Sequence, residues 1–307
     1  MSLAENNIDE TAKLKYLAAV ASIATACLLL NVKMLAVFLT GSLSITSSMI
    51  DSLSDMVSSL ITFIAVRYSD KPLTSQHRYG YGKAESVSAL FQAAFIMCSA
   101  GFILYDAIYR FLHPIAIKQA ELGINIMLVC ILFTLLLIGL QKYVVYRTKS
   151  RAISADSLHY VVDLLSNGSV VLSLVVVKYF NMEWADIIVA VLIAVYLLYN
   201  AMQLARSSLE ELTDKELDEN IKRDIIKIAL SVKGVRGYHD FRSRVSGSRV
   251  FVEIHIEIDG FLTLYKTHDI AEAVENNIIA QYPHAQVIIH QDPYGIEEKH
   301  LDADILE

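Results

Sequence analysis

An α-helical membrane protein of six transmembrane helices, followed by a C-terminal α+β domain, is the fold class this sequence predicts. Three observations predict it. The chain of 307 residues is 54% hydrophobic, too apolar for an ordinary soluble domain. Its charge is divided unevenly. Residues 207–307 hold 20 acidic and 11 basic residues, a net of −9, whereas residues 1–206 hold 13 and 15, a net of +2. Apolar runs near the roughly 20 residues that span a bilayer fill the first part, and an alternating strand pattern appears in the second.

In chain order the expected spans are 16–39, 44–66, 87–109, 123–141, 156–178 and 185–205, after a tail over 1–15. The second and fifth are the least apolar, and they carry ionisable side chains in their interior. Lysine and arginine in short loops set orientation. Arg67, Lys71, Arg78 and Lys83 follow the second span, and Lys142, Arg147, Lys149 and Arg151 follow the fourth. The opposite loops hold only Arg110, Lys118 and Lys178, and Lys13 and Lys15 precede the first span. Both termini are therefore expected in the cytoplasm. No basic stretch leads into a short apolar run and a small-residue cleavage site, so no cleaved signal peptide is expected. Cys27, Cys98 and Cys130 lie in apolar stretches without Cys-x-x-Cys spacing and read as small core hydrophobes.

The membrane domain is expected over 16–206, a cytoplasmic domain over 207–295 and a tail over 296–307. Asp214 to Ser231 reads as a helix. "GYHDFRSRV" reads as a strand, and "RVFVEIHIEI", 249–258, alternates strictly. "HDIAEAVENNIIAQY" is a helix with Thr267 as N-cap, and "AQVIIH" a short strand. The order is αββαβ, an α+β sandwich. The acidity of this half argues against nucleic acid as a partner and is compatible with cations.

In the second span Ser44, Ser48, Asp51, Asp55 and Ser58 recur at three- and four-residue steps, and in the fifth Asp156, His159, Asp163 and Asn167 do the same. Each set forms one stripe on a helix. An ionisable group at the bilayer centre costs about 2.5–3.5 kcal/mol on insertion scales, so the stripes must face each other or a water-filled cavity. Serines alone would suffice as hydrogen-bonding glue between helices. Asp51, Asp55, His159 and Asp163 do not suit that role, because buried like charges repel. Three carboxylates and one imidazole form a four-ligand set instead. Mixed nitrogen and oxygen donors suit zinc and tolerate other first-row divalents such as ferrous iron.

The chain resembles the cation diffusion facilitators, and within them the bacterial ferrous-iron and zinc efflux pumps. The resemblance covers about 12–293 and is carried by "TGSLSITSSMIDSLSDMVSSL", "HRYGYGKAES", "SLHYVVDLLSNG" and "VIIHQDP". It implies a homodimer in the cell (inner) membrane, exporting a cytoplasmic divalent metal in exchange for protons. It implies that Asp51, Asp55, His159 and Asp163 are the transport site. Histidine in that quartet points in this family to zinc, cadmium or iron rather than manganese. The resemblance also implies a metallochaperone-like cytoplasmic domain whose His239, His255, His268, His290 and Asp292 match a binuclear zinc cluster, serving dimerisation and metal sensing.

Two matches are weaker. A third family metal site in the second-to-third loop keeps only His77. Thr74 replaces its carboxylate and Tyr81 its second histidine, so this site is expected to be missing or weak. Lys83 and Asp214 match a charge pair that joins subunits or domains. Other classes fit less well. No G-x-G-D or H-E-x-x-H is present for an intramembrane or zinc protease, and "RYGYGK" is not embedded in an apolar hairpin as a carbonyl filter would be. The alternative is a membrane metal sensor that transports nothing and uses the cytoplasmic cluster.

Overall fold

A computed structural model of the chain describes residues 3–40, 43–112, 121–180 and 184–295. It divides into two compact units, Glu10–Leu209 on the one hand and Met1–Asp9 with Glu210–Glu307 on the other. Six long helices come first: α1 Leu3–Thr40, α2 Leu43–Ser69, α3 Lys83–Leu112, α4 Glu121–Thr148, α5 Arg151–Phe180 and α6 Trp184–Leu212. Among the described residues, segments of α1, α3, α4 and α6 are long and apolar enough to cross a membrane. The other two, α2 and α5, carry the polar stripes.

The α5 helix packs against α2, α3 and α4. Small residues let these backbones approach closely. Ala18 and Ala19 of α1 meet Ala65 and Val66 of α2, Val144 of α4, and Ala152 and Ile153 of α5, all buried. Ala89 and Ala93 of α3 meet Ala155 of α5 and Leu204 of α6 in the same way. The α4–α5 turn is short. Lys149 takes a left-handed φ of 54°, and Ser150 caps α5, its Oγ accepting from the Ile153 amide at 3.3 Å.

Lys15, which charge counting leaves in the tail before the first span, is buried at 2% exposure, and Glu85 at 1%. Its Nζ donates to Glu85 at 2.8 Å and lies 3.5 Å from Asp70. Glu85 also accepts from Ser69 and Ser150 hydroxyls. Three other segments of the bundle thus converge on this one carboxylate of α3.

The second unit holds α7 Glu219–Leu230, β1 Gly237–Ser246, β2 Arg249–Ile258, α8 Leu264–Gln281 and β3 Ala285–Pro293, the αββαβ order that periodicity predicts. The sheet order is β1-β2-β3, antiparallel then parallel. Gly247, with φ 61°, opens the two-residue β1–β2 turn. Val252, Ile254, Ile256 and Ile258 of β2 point to one face, where Ile225 and Ala229 of α7 and Val274 and Ile278 of α8 complete the core. The other face is polar and carries the histidines.

Two helix starts differ from expectation. The segment expected to open α7 at Asp214 is not helical. Asp214 has φ 57°, and the residues after it are tied to β1, the Leu217 amide donating to Ser243 Oγ and Ser243 donating to Glu216. The helix starts only at Glu219, after Asp218. In α8 the N-cap position is Thr263, one turn before Thr267. Thr267 lies inside the first turn, where its hydroxyl bonds back to the Leu264 carbonyl at 2.9 Å.

Candidate metal sites

In the membrane unit, α2 and α5 bring Asp55, His159 and Asp163 together. One donor atom from each lies within 4.8 Å of the others. His159 Nε2 is 3.0 Å from Asp55 Oδ1 and 3.9 Å from Asp163 Oδ2. Asp55 and His159 are buried. A tetrahedron with ~2.1 Å bonds has an edge of ~3.4 Å, so around an ion the 3.0 Å pair would open slightly and the 3.9 Å pair close slightly. Asp51 sits one turn before Asp55 on α2, and its side chain lies outside the described residues. Phe95 of α3 lies against the imidazole, with ring centroids 5.8 Å apart.

The cytoplasmic cluster is built by strand register. His239 pairs with His255, and His255 with His290, so one row of three imidazoles crosses the sheet. Ring centroids along it are 5.0 and 4.5 Å apart. Asp292, two residues beyond His290, points to the same side. Its carboxylate lies 3.2 Å from His239 Nε2, 2.9 Å from His255 Nδ1 and 3.1 Å from His290 Nε2. Two donor groups result, His239–Asp240–His255 and His255–His290–Asp292, which share His255. His268 stands apart, exposed on α8.

Sequence reasoning missed two residues here. Asp240 occupies a β-bulge between His239 and Arg242, with φ 47°. The extra residue turns a side chain that alternation would place in the core toward the polar face. Glu257 pairs with His239 Nδ1 at 3.2 Å. Its signal was legible, since it shares the polar face of β2 with His255.

In the loop after α2, His77 meets no carboxylate among the described residues that would complete a metal-holding group. The loop closes by other means. The His77 amide and Thr74 Oγ1 bond at 3.1 Å, Thr74 Oγ1 and Tyr81 Oη at 3.2 Å, and Tyr81 packs on both His77 and Tyr68. Lys83 opens α3. Asp214, in the other unit, has Arg244 Nη1 at 3.5 Å.

Long apolar helices around a buried carboxylate–imidazole site define a membrane protein that handles cations. The chain matches the cation efflux transmembrane domain over residues 19–213 and the cation efflux protein cytoplasmic domain over 217–294. It belongs to the cation efflux family. The "Cation-efflux pump FieF" of Shewanella oneidensis is 43% identical over 281 residues, 92% of this chain and 95% of the relative. The protein of that name from Escherichia fergusonii is 39% identical over 279 residues, 91% of this chain and 93% of the relative. The solved structure MamM-CTD 215-293 is 25% identical, covering 24% of this chain and 96% of that one, with a TM-score of 0.24. The chain is a membrane cation transporter rather than an enzyme or a sensor that moves nothing.

Proposed function

We propose that the membrane unit exports a divalent metal ion, zinc or ferrous iron with cadmium as a further substrate, from the cytoplasm in exchange for protons. The observation that carries this reading is the convergence of Asp55, His159 and Asp163 between two helices, with Asp51 as the fourth ligand. Each ligand must shed its proton to bind metal, so protons and metal compete for the same lone pairs. That competition lets an inward proton gradient drive metal outward. The imidazole favours zinc and iron over manganese.

The cytoplasmic domain is proposed to join two copies of the chain and to hold zinc on His239, His255, His290 and Asp292. Its donors fit a divalent ion, because three imidazole nitrogens already point at one carboxylate. Lys83 and Asp214 are proposed to pair between subunits or domains, and both termini to face the cytoplasm. His77 is given no metal.

Purified protein in sealed vesicles, with a fluorescent zinc indicator on one side and an imposed pH gradient, tests the exchange. Zinc should move against the proton flow, and collapse of the gradient should slow it. Zinc flux that ignores the gradient would make the protein a uniporter. Competition among zinc, ferrous iron and cadmium in the same vesicles ranks the substrates.

A further inference from the structure

The α5 helix carries a carboxylate that the metal site leaves unused. Asp156, three residues before His159, is fully buried at 0% exposure. Its Oδ2 accepts hydrogen bonds from Ser22 Oγ of α1 at 2.5 Å and Gln141 Nε2 of α4 at 2.6 Å. Its Oδ1 is buried with no hydrogen-bond partner, and so is Oε1 of Gln141, the residue already touching it. Among the described residues no lysine or arginine forms an ion pair with Asp156. The groups around it are Ser22 from α1, Thr62 from α2, Gln141 from α4 and His159 from α5. Tyr160 and Ser59 follow through hydroxyl contacts.

An ionised carboxylate taken out of water with no lysine or arginine against it is strongly disfavoured, and the His159 imidazole is the group beside it that can carry a positive charge. One added proton removes the charge. Ser22 and Gln141 donate to Oδ2, the Thr62 hydroxyl is a third neutral group beside the carboxylate, and Oδ1, which has no hydrogen-bond partner, is left to carry the hydrogen. A buried row of hydroxyls also adjoins the carboxylate. Ser22 Oγ, Ser59 Oγ and Tyr160 Oη are linked in steps of 2.8 Å, and in each step either oxygen can donate. Such a row can reverse its donor sense as a proton enters or leaves.

We propose that Asp156 is a proton-binding site of the transport cycle, sharing no ligand with the metal site, and that its proton is released to water when a divalent cation binds beside it. The inference rests on the metal-site reading above. A dication held by Asp55, His159 and Asp163 lies about one helical turn away on α5, in a medium of low dielectric where charges interact strongly. It favours the carboxylate of Asp156 and expels the proton. By linkage the proton at Asp156 weakens the metal equally. The step breaks one O–H bond, leaves the electron pair on the carboxylate and needs no other reactant.

The test uses the purified full-length chain and its Asp156→Asn and Asp163→Ala variants. Zinc is titrated into weakly buffered protein with a pH indicator, and zinc uptake is measured by calorimetry. Protons released by the cytoplasmic cluster are common to all three and cancel in the differences. Asp156→Asn should keep its membrane zinc, release about one proton fewer per zinc, and show a shallower dependence of affinity on pH. A wild-type proton count in Asp156→Asn would overturn the proposal and leave Asp156 as a hydrogen-bonding residue only. Should Asp156→Asn not fold, Asp156→Glu keeps the titrating group. Zinc addition should then remove a carboxylic-acid carbonyl stretch whose frequency differs between wild type and Asp156→Glu, and identical difference spectra would overturn the proposal. An Asp163→Ala variant that retains its membrane zinc would fail the metal-site reading instead, and the proton count at Asp156 would still decide this one.

Discussion

Gly237 faces Glu257 across the β1–β2 ladder, and a Cβ on Gly237 would stand 2.6 Å from Glu257 Oε2. The absent side chain leaves room for the carboxylate that holds His239 Nδ1 at 3.2 Å. Carboxylates of this kind fix the orientation of a ligating imidazole, and losing them costs roughly 10–100-fold in metal affinity. Gly237→Ala should weaken zinc binding by the cytoplasmic cluster within that range. Thermal unfolding should move little, because only the end of a flexible side chain must give way. Calorimetric zinc titration of the full chain checks the first outcome, and scanning calorimetry the second.

Asp163→Ala should reduce zinc flux in vesicles to background while the dimer still assembles. The change leaves Asp55 and His159 as neighbours but removes the third convergent donor. Size-exclusion chromatography with light scattering establishes assembly at matched protein level. Near-normal flux would remove Asp163 from the site.

His159→Asp replaces the single nitrogen donor with a harder oxygen donor. The order of preference should move from zinc toward manganese. Competition flux with both metals reads this directly. An unchanged order would place selectivity in the geometry of the site rather than in its donor type.

Glu85→Gln removes the charge that Lys15 meets at 2.8 Å in a buried setting. Leaving a buried ammonium without its partner costs about 3–5 kcal/mol, whereas replacing both members by apolar side chains of similar volume is often neutral; Asp70, 3.5 Å from the ammonium, offsets part of the loss here. Glu85→Gln should therefore unfold at a markedly lower denaturant concentration than wild type. Joint Lys15→Met and Glu85→Met replacement should recover most of the loss. Equal stability of Glu85→Gln and wild type would show that the pair contributes nothing net.

His77→Ala should leave zinc stoichiometry unchanged, because contacts among Thr74, Tyr81 and Tyr68 already close the loop and His77 has no carboxylate beside it in a metal-holding group among the described residues. Tyr81→Ala, which removes a hydroxyl contact and two ring contacts, should make the loop more open to protease. A loss of one zinc per chain in His77→Ala would restore a metal to this loop.

Features that depend on periodicity were legible in the sequence. Strand 249–258 alternates strictly and forms β2 over those same residues. The stripes on the second and fifth spans place Asp55, His159 and Asp163 where their donor atoms meet. Features set by contacts between distant segments were not legible. Asp214–Leu217 looks helical by composition, but its end is tied to Ser243 of β1 and stays outside the helix. Asp240 reaches the histidines only because of a bulge that alternation does not reveal. Lys15 and Glu85 look like solvated charges near helix ends until the fold sets them 2.8 Å apart across 70 residues of chain.

The row of three imidazoles has a consequence for how the sheet keeps its alignment. His239, His255 and His290 stand abreast in one register only. A slip of β3 by one residue would set Ile289 or Gln291 opposite His255 and turn Asp292 toward the core. An ion on this row therefore rewards correct pairing of the final strand, as a bolt fits only when its holes line up. Under the proposed metal binding, an ion would thereby act as an inspector of strand alignment, with tight binding reserved for domains whose last strand has docked in register.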